Sequence, residues 1–103
     1  MKDSEFAKEV EEILNYIAEV VEENDPSGEI EIDIKDGILH LITTHGVFVI
    51  NKQSAVKEIW LSSPISGPYH FAKHTGLWQS RNGAGLYEIL SKELNMNFQN
   101  SRE

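Results

Sequence analysis

The hydrophobic residues change their spacing abruptly between Asn24 and Glu29, and this change constrains the fold more than any other feature. From Asp3 to Asn24 they recur at three- and four-residue steps, which places them on one stripe of a long helix. From Glu29 to Lys35 isoleucines alternate with charged residues, which is the pattern of a strand with one buried and one wet face. The sequence therefore predicts a helix that packs on a sheet.

Turn signals such as Asp36-Gly37 and His45-Gly46 divide the middle of the chain into short strands. A chain of 103 residues has room for one hydrophobic core, so we expect a single domain over residues 1–103. The predicted class is α+β, a two-layer sandwich with both helices on one face of an antiparallel sheet of about five to six strands. After the first strand, the predicted elements are strands at Ile38–Thr44, Val47–Lys52, Lys57–Ser62, Tyr69–Ala72 and Leu77–Ser80, and a closing helix at Leu86–Leu94.

Several local features accompany this prediction. Asp3 or Ser4 is expected to cap the first helix, and the polar chain beyond Met96 is expected to fray. Trp78 is expected in the core. His70 and His74 are expected to lie across a strand and a turn, so their spacing does not imply a shared face.

Charge is distributed very unevenly along the chain. Residues 1–36 contain 13 acids and three bases, a net charge of −10, whereas residues 37–103 contain four acids and six bases, a net charge of +2. Nucleic acids and anionic membranes need a basic footprint, so neither is the expected ligand. The charge favours a cation or a basic protein surface.

Carboxylates concentrate where the first helix ends and the next strand begins. Carboxylate oxygens suit hard cations, but no EF-hand or similar fixed motif is present, so metal binding here should be weak and tolerant of several metals. The alternative is a helix face that only keeps the protein in solution. The acids of this cluster are Glu19, Glu22, Glu23, Asp25, Glu29, Glu31 and Asp33. A separate prediction concerns the whole length of the helix, where the glutamates expected to face water are Glu5, Glu9, Glu12, Glu19 and Glu23.

Trp60 is the second candidate for a functional role. Strand alternation places it on the same face as Glu58 and Ser62, opposite Ile59 and Leu61. An aromatic side chain on the wet face of a sheet is a candidate anchor for a protein interface. The alternative is a tryptophan tucked beneath the nearby loop at residues 64–68.

Catalytic motifs are missing from the sequence. The chain has no cysteine, which excludes thiolate catalysis, disulfides and zinc–sulfur sites. It contains no H-E-x-x-H, phosphate-binding loop or G-x-S-x-G motif. No catalytic residues are predicted.

Several segments of the chain closely resemble the frataxin family. They are Val49-Ile50-Asn51-Lys52-Gln53, Ile59-Trp60-Leu61-Ser62-Ser63-Pro64 and Ser66-Gly67-Pro68, together with Asp3-Ser4-Glu5-Phe6, which is similar to the start of the bacterial form. The similarity covers nearly the whole chain in the same helix–strands–helix order. It implies a two-layer α/β fold, iron binding and contact with the cysteine desulfurase and the scaffold protein of iron–sulfur cluster assembly.

The resemblance also implies site residues. Contact with a partner through the exposed sheet face would involve Asn51, Gln53 and Trp60. Ala18 and Ser27 stand where relatives carry further acids, and His70 stands where mitochondrial members often have arginine. The iron-binding surface, which we call the acidic ridge, maps to Glu19, Glu22, Glu23, Asp25, Glu29 and Glu31, with Asp3 as a further metal ligand.

The expected function is that of a non-catalytic, iron-binding regulator of cluster assembly. Iron, as Fe²⁺ or Fe³⁺, would be bound weakly by the acidic ridge. The expected location is the bacterial cytoplasm, because the N-terminus lacks a signal or transit profile and no apolar run reaches membrane-spanning length, although a mature form cut from an organellar precursor would look the same. The expected form is a monomer that oligomerises, if at all, with iron. The alternatives are a ferroxidase that stores iron, although no Glu-x-x-His pair is present, and an acidic adaptor without a metal.

Overall fold

A computed structural model describes residues 1–99 of the chain. Its strands form one antiparallel meander in which each strand pairs with the next, in the order β1-β2-β3-β4-β5-β6. The predicted α+β class and element order are confirmed. The elements are α1 Asp3–Glu23, β1 Glu31–Lys35, β2 Ile38–Thr43, β3 Gly46–Gln53, β4 Glu58–Ser63, β5 Gly67–His74, β6 Leu77–Gln79 and α2 Leu86–Leu94.

The core lies between the two helices and one face of the sheet. Alternate residues of each strand point into it, as in the row formed by Leu39, Ile50 and Leu61 on three neighbouring strands. Burying a side chain of this kind contributes about 1.5–3 kcal/mol. The helices supply the other side of the core through Phe6, Val10, Leu14, Ile17 and Val21 of α1 and Leu86, Ile89 and Leu90 of α2.

The other face of the sheet, which we call the outer face, is not covered by a helix. Ile42 and Val47 lie directly opposite each other on β2 and β3, and remain 37% and 41% exposed. Asn51 and Trp60 are similarly opposed on β3 and β4, so they also belong to this face. The outer face therefore mixes polar and apolar side chains that solvent or a partner can reach.

The turn between β1 and β2 follows the predicted tight-turn signal. Asp36 and Gly37 both have positive φ angles, 53° and 79°, as a two-residue type I′ turn requires. The Gly37 carbonyl accepts a hydrogen bond from the Lys52 backbone N–H at 2.9 Å, which ties the turn to the end of β3.

The start of α1 differs from the prediction. Lys2, not Asp3 or Ser4, is the N-cap residue, and its backbone N–H donates to the Glu5 carboxylate at 3.0 Å. Asp3 lies in the first helical turn and pairs with Lys57 instead of capping. The helix thus begins one residue earlier than a cap at Asp3 would allow, because the Glu5 carboxylate accepts a hydrogen bond from the backbone N–H at the start of the helix.

Glu9 does not belong to the water-facing glutamates, which corrects the helix prediction. Its carboxylate accepts a hydrogen bond from the indole of Trp78 at 3.2 Å and pairs with Lys73 at 2.8 Å. Trp78 is buried, as predicted, and its N–H needs a partner at the edge of the core. Glu9 therefore joins α1 to β5 and β6.

The strand boundaries also differ in the second half of the sheet. β5 begins at Gly67 and continues to His74, whereas a shorter strand at Tyr69–Ala72 was predicted. His70 and His74 are therefore in one strand, and their even spacing puts both on the outer face, contrary to the prediction. The glycine and proline at the start of β5 are tolerated because they lie where the hairpin from β4 begins to pair.

The chain beyond Met96 does not fray as predicted, at least up to Gln99. The Phe98 side chain is only 6% exposed and packs against the rings of Tyr16 and Tyr87, with centroids 6.5 and 6.3 Å away. The Gln99 backbone N–H donates to the Tyr16 hydroxyl at 2.8 Å. Residues 100–103 lie outside the described part of the chain.

Within residues 1–99, neither helix combines the length and apolar character that crossing a membrane would require.

Candidate functional site

The acidic ridge occupies the corner where α1 ends and β1 begins. Glu19, Glu22 and Glu23 belong to the last two turns of α1, and Glu31 is the first residue of β1. A short turn joins the two elements, so chain connectivity alone brings these carboxylates to one end of the molecule. The local sequence explains this placement, because Asp25-Pro26 ends the helix and the alternating isoleucines then start the strand.

Asp25 holds the corner together. Its two carboxylate oxygens accept hydrogen bonds from the backbone N–H groups of Glu29, at 3.0 Å, and Ile30, at 2.8 Å. The Gly28 N–H also donates to the Asp25 carbonyl at 3.0 Å. Asp25 therefore shapes the turn, and it offers fewer free lone pairs to a metal than Glu22, Glu23, Glu29 and Glu31 do.

The ridge carboxylates are open to solvent. Asp25 is half-buried, and the other five ridge residues are exposed. The ion pairs formed within residues 1–99 are His40–Asp33, Lys57–Asp3 and Lys73–Glu9, so no basic side chain of this range neutralises Glu22, Glu23, Glu29 or Glu31. Negative charge therefore accumulates at this corner.

The donor chemistry of the ridge suits iron, but its geometry is not that of a closed metal site. Carboxylate oxygens are suitable ligands for a hard cation. However, no group of three or more histidine, aspartate or glutamate side chains in residues 1–99 is arranged to hold one ion. A cation at the ridge would therefore bind to one or two carboxylates and keep part of its water shell, unless side chains move.

Asp3 is not part of the ridge. It lies at the opposite end of α1, about 24 Å along the helix axis from Glu19 at 1.5 Å per residue. Its carboxylate pairs with the Lys57 ammonium, and this hydrogen bond and charge lower the pKa of Asp3. Because of this distance and this partner, we leave Asp3 out of the proposed iron site.

The Asp3–Lys57 pair makes a testable prediction about pH. A carboxylate whose pKa is lowered on folding stabilises the protein above its unfolded pKa, and this contribution is lost as the pH falls through the folded pKa. NMR titration should give Asp3 a pKa below that of exposed aspartates, and Lys57→Gln should return it to the ordinary range. An Asp3 pKa that Lys57→Gln leaves unchanged would contradict the pairing. The effect on stability should be small because the pair is exposed.

The three residues predicted for partner contact lie together on the outer face. Asn51 and Trp60 are directly opposed on β3 and β4, and the Gln53 side-chain amide donates to Asn51 Oδ1 at 3.2 Å. We call these three residues the outer-face patch. Its geometry follows from the register between β3 and β4, which no sequence motif specifies.

Two further residues support the patch, and the sequence prediction did not assign them to it. The Trp60 indole lies flat on the His70 ring, with centroids 4.0 Å apart and an interplanar angle of 7°, and it donates to Glu58 at 2.8 Å. Trp60 is therefore half-buried on the outer face and held by a stacking neighbour. Strand alternation already placed Glu58 on the same face as Trp60, whereas the position of His70 requires the β4–β5 register.

The comparisons with known proteins agree with the fold described above. The profile of the Frataxin-like domain matches residues 1–100. A bacterial relative named iron-sulfur cluster assembly protein CyaY, from Thioalkalivibrio sulfidiphilus, is 34% identical over 98 residues, covering 91% of each chain. The chain therefore belongs to the frataxin family.

Mitochondrial relatives are similar but longer. The frataxin homolog of Saccharomyces cerevisiae is 36% identical over 94 residues, which is 86% of this chain. This chain spans about half the length of that protein and of the frataxin-like protein of Leishmania donovani, 54% in each case.

Solved structures show the same architecture. Trimeric yeast frataxin complexed with ferrous iron superposes with a TM-score of 0.77 at 36% identity, covering 84% of this chain and 82% of that one. Frataxin from Psychromonas ingrahamii covers 99% of this chain and 100% of its own, with a TM-score of 0.76. At 22% identity, the second similarity supports the fold alone.

Proposed function

We propose that this protein is an iron-binding accessory protein of iron–sulfur cluster assembly that docks a cysteine desulfurase through its acidic ridge. The observation that carries the proposal is the corner of exposed carboxylates between α1 and β1, in a chain that belongs to the frataxin family. The name of the bacterial relative and the ferrous complex of the yeast protein support the same role.

Iron binding in this proposal is weak and reversible. Exposed carboxylates without a closed coordination sphere take up Fe²⁺ or Fe³⁺ while water molecules fill the remaining positions. Such an ion is released readily to another protein. The role is therefore that of a regulator or carrier, and no residue of the chain is assigned to catalysis.

Docking in this proposal has a long-range and a short-range part. The negative field of the ridge steers the protein toward a basic surface of the desulfurase. This attraction is screened over about 8–10 Å near physiological ionic strength. The outer-face patch supplies a less salt-sensitive contact to the scaffold protein, with Trp60 as its aromatic anchor.

The direct test is binding to a purified cysteine desulfurase at two salt concentrations, with and without Fe²⁺. We expect measurable affinity at low salt that falls steeply at high salt. An affinity independent of salt, or no binding at low salt, would contradict docking through the acidic ridge.

Titration with Fe²⁺ under anaerobic conditions tests the metal site. Broadening or shifts of backbone amide signals are expected first between Glu19 and Glu31, with fast exchange because the site is open. Signals of the outer-face patch serve as an internal control and should not change. Undisturbed signals at the ridge would remove iron from the proposed role, and consumption of oxygen over several turnovers per chain would indicate a ferroxidase instead.

Replacing Trp60 with alanine tests the outer-face patch. The loss of this half-buried aromatic anchor should weaken binding to the scaffold protein by roughly thirtyfold. Folding stability should fall by only about 1 kcal/mol through loss of the stack on His70. His70→Ala is the matched control, since it removes the stack but keeps the indole. Calorimetric titration with the scaffold and a urea melt give both values, and complete unfolding of the Trp60 variant would show that this residue is structural.

A further inference from the structure

A groove runs between α1 and the free edge of the sheet, and it shares no residue with the acidic ridge or the outer-face patch. Its volume is about 670 Å³, within the range of about 300–1,000 Å³ typical of ligand sites. One wall is formed by α1, and the other by the end of β1, the turn that follows it and the end of β3. The residues along it are Ala7, Lys8, Val10, Glu11, Leu14, Asn15, Ile34, Lys35, Asp36, Gly37 and Lys52.

Three lysines surround this groove in a protein whose net charge is −8. Lys8, Lys35 and Lys52 form no ion pair with any residue in the range 1–99, whereas Lys57 and Lys73 each pair with a carboxylate of α1. Glu11 and Asp36 also line the groove, so its own charge is +1. The groove is therefore a local site for anions on an otherwise acidic molecule.

The position of Lys52 follows from the β1–β2 turn. A Cβ atom added at Gly37 would meet Lys52 Cε at 3.0 Å, Cβ at 3.3 Å and Nζ at 3.6 Å. The lysine stem thus lies along the face of the glycine, and its ammonium group stays beside the turn. A positive charge is held at the groove because this turn has no side chain at residue 37.

The floor of the groove is apolar and borders an unpaired strand edge. Ile34 remains 41% exposed although the neighbouring Val10 and Leu14 of α1 belong to the core. β1 is the first strand of the sheet order and pairs only with β2 among the described strands. Its free backbone groups are available to an added strand, which is a common mode of peptide recognition.

From these observations we propose that the groove binds an extended, acidic segment of a partner protein that places one aliphatic side chain against Ile34. Carboxylates on either side of that residue would contact Lys8, Lys35 and Lys52, while the peptide backbone pairs with the free edge of β1. The groove reaches only Ile34 and Lys35 of β1, so the segment pairs with that end of the strand and not with Glu31, the ridge residue at its other end. This surface is distinct from the acidic ridge, which would attract a basic partner.

A pair of blocked heptapeptides provides the probe. One has a central leucine flanked by aspartates and glutamates, and the other has serine in place of leucine. We expect the leucine peptide to shift the amide signals of residues 34–37 and 52, with affinity that falls as salt is added.

Two charge variants test the lysines. Lys8→Gln combined with Lys35→Gln should weaken peptide binding about fivefold, as expected for the loss of two exposed charge contacts. Arg81→Gln combined with Lys92→Gln makes the same change in net charge at exposed positions outside the groove, and should change affinity less than twofold. Equal losses in both variants would show only a general charge effect and would overturn the proposal.

The apolar contact is tested by Ile34→Thr, which keeps a β-branched residue at an exposed strand position. It should weaken the leucine peptide severalfold and leave the serine peptide unchanged. Three results would each overturn the proposal. The first is an equal effect of Ile34→Thr on both peptides, and the second is displacement of the leucine peptide by free glutamate as strong as by the peptide itself. The third is a shift of the groove's amide signals when the protein concentration is raised without peptide. The last result would identify a second copy of this chain as the occupant. Desulfurase binding through the ridge should persist in all these variants, so the two proposals fail separately.

Discussion

Replacing Glu22 and Glu23 with lysine is expected to lower the affinity for a cysteine desulfurase about tenfold or more at low salt, because two attractive contacts become repulsive. Both side chains are exposed in the last turn of α1, and neither has an ion-pair partner within residues 1–99. Adding Glu19→Lys should extend the loss. Surface plasmon resonance at two salt concentrations measures the effect, which should shrink as salt is raised.

The same substitution is expected to leave the fold intact and to stabilise it slightly. The last turn of α1 contains no basic residue and ends on Glu22 and Glu23. A lysine near a helix C-terminus contributes about 0.3–1 kcal/mol by interaction with the helix dipole. A higher melting temperature together with lost binding would separate the docking effect from any effect on folding.

The matched control is Glu11→Lys combined with Glu12→Lys. These two glutamates are also adjacent and exposed on α1, and their replacement changes the net charge by the same amount. We expect at most a twofold change in desulfurase affinity for this control. Similar losses in the two variants would mean that net charge, and not the acidic ridge, determines binding.

Replacing Phe98 with alanine is expected to lower the free energy of unfolding by about 3 kcal/mol, at the lower end of values for a buried phenylalanine. The ring is 6% exposed and packs against Tyr16 of α1 and Tyr87 of α2, whose rings also contact each other with centroids 5.5 Å apart. Its removal would leave a cavity and release the end of the chain from both helices. Urea denaturation followed by circular dichroism measures this loss.

Phe98→Leu is the control for this prediction. Leucine keeps most of the apolar volume but not the aromatic edge contacts, so we expect a loss of about 1 kcal/mol. If Phe98→Ala unfolded at the same urea concentration as the unchanged protein, the C-terminal segment would contribute nothing to the core. The Fe²⁺ response at the ridge should be the same in both variants, since Phe98 lies outside the ridge.

Much of the fold could be predicted because hydrophobic periodicity is a local property. The apolar stripe of α1, the alternation through β1 and the Asp36-Gly37 turn each depend on residues close together in the chain. The acidic ridge was predictable for the same reason, because Glu19 to Glu31 are neighbours in sequence as well as in space.

Long-range partners could not be predicted in this way. Glu9 has the spacing of a water-facing glutamate, but it binds Trp78 and Lys73 from the other end of the chain. Phe98 stands in a polar segment without periodicity, and its contacts with the rings of Tyr16 and Tyr87 explain its burial.

The amino-acid sequence alone determined the helix–strands–helix order, the buried face of each element and the concentration of negative charge at one corner. These follow from propensity, periodicity and short turns, which act over a few residues. The tertiary structure alone decided three further features. They are the pairing of β4 with β5 that stacks His70 on Trp60, the choice of Lys57 as the partner of Asp3, and the groove that remains beside β1. Those outcomes depend on strand register and on packing between residues far apart in the chain, which no local pattern specifies.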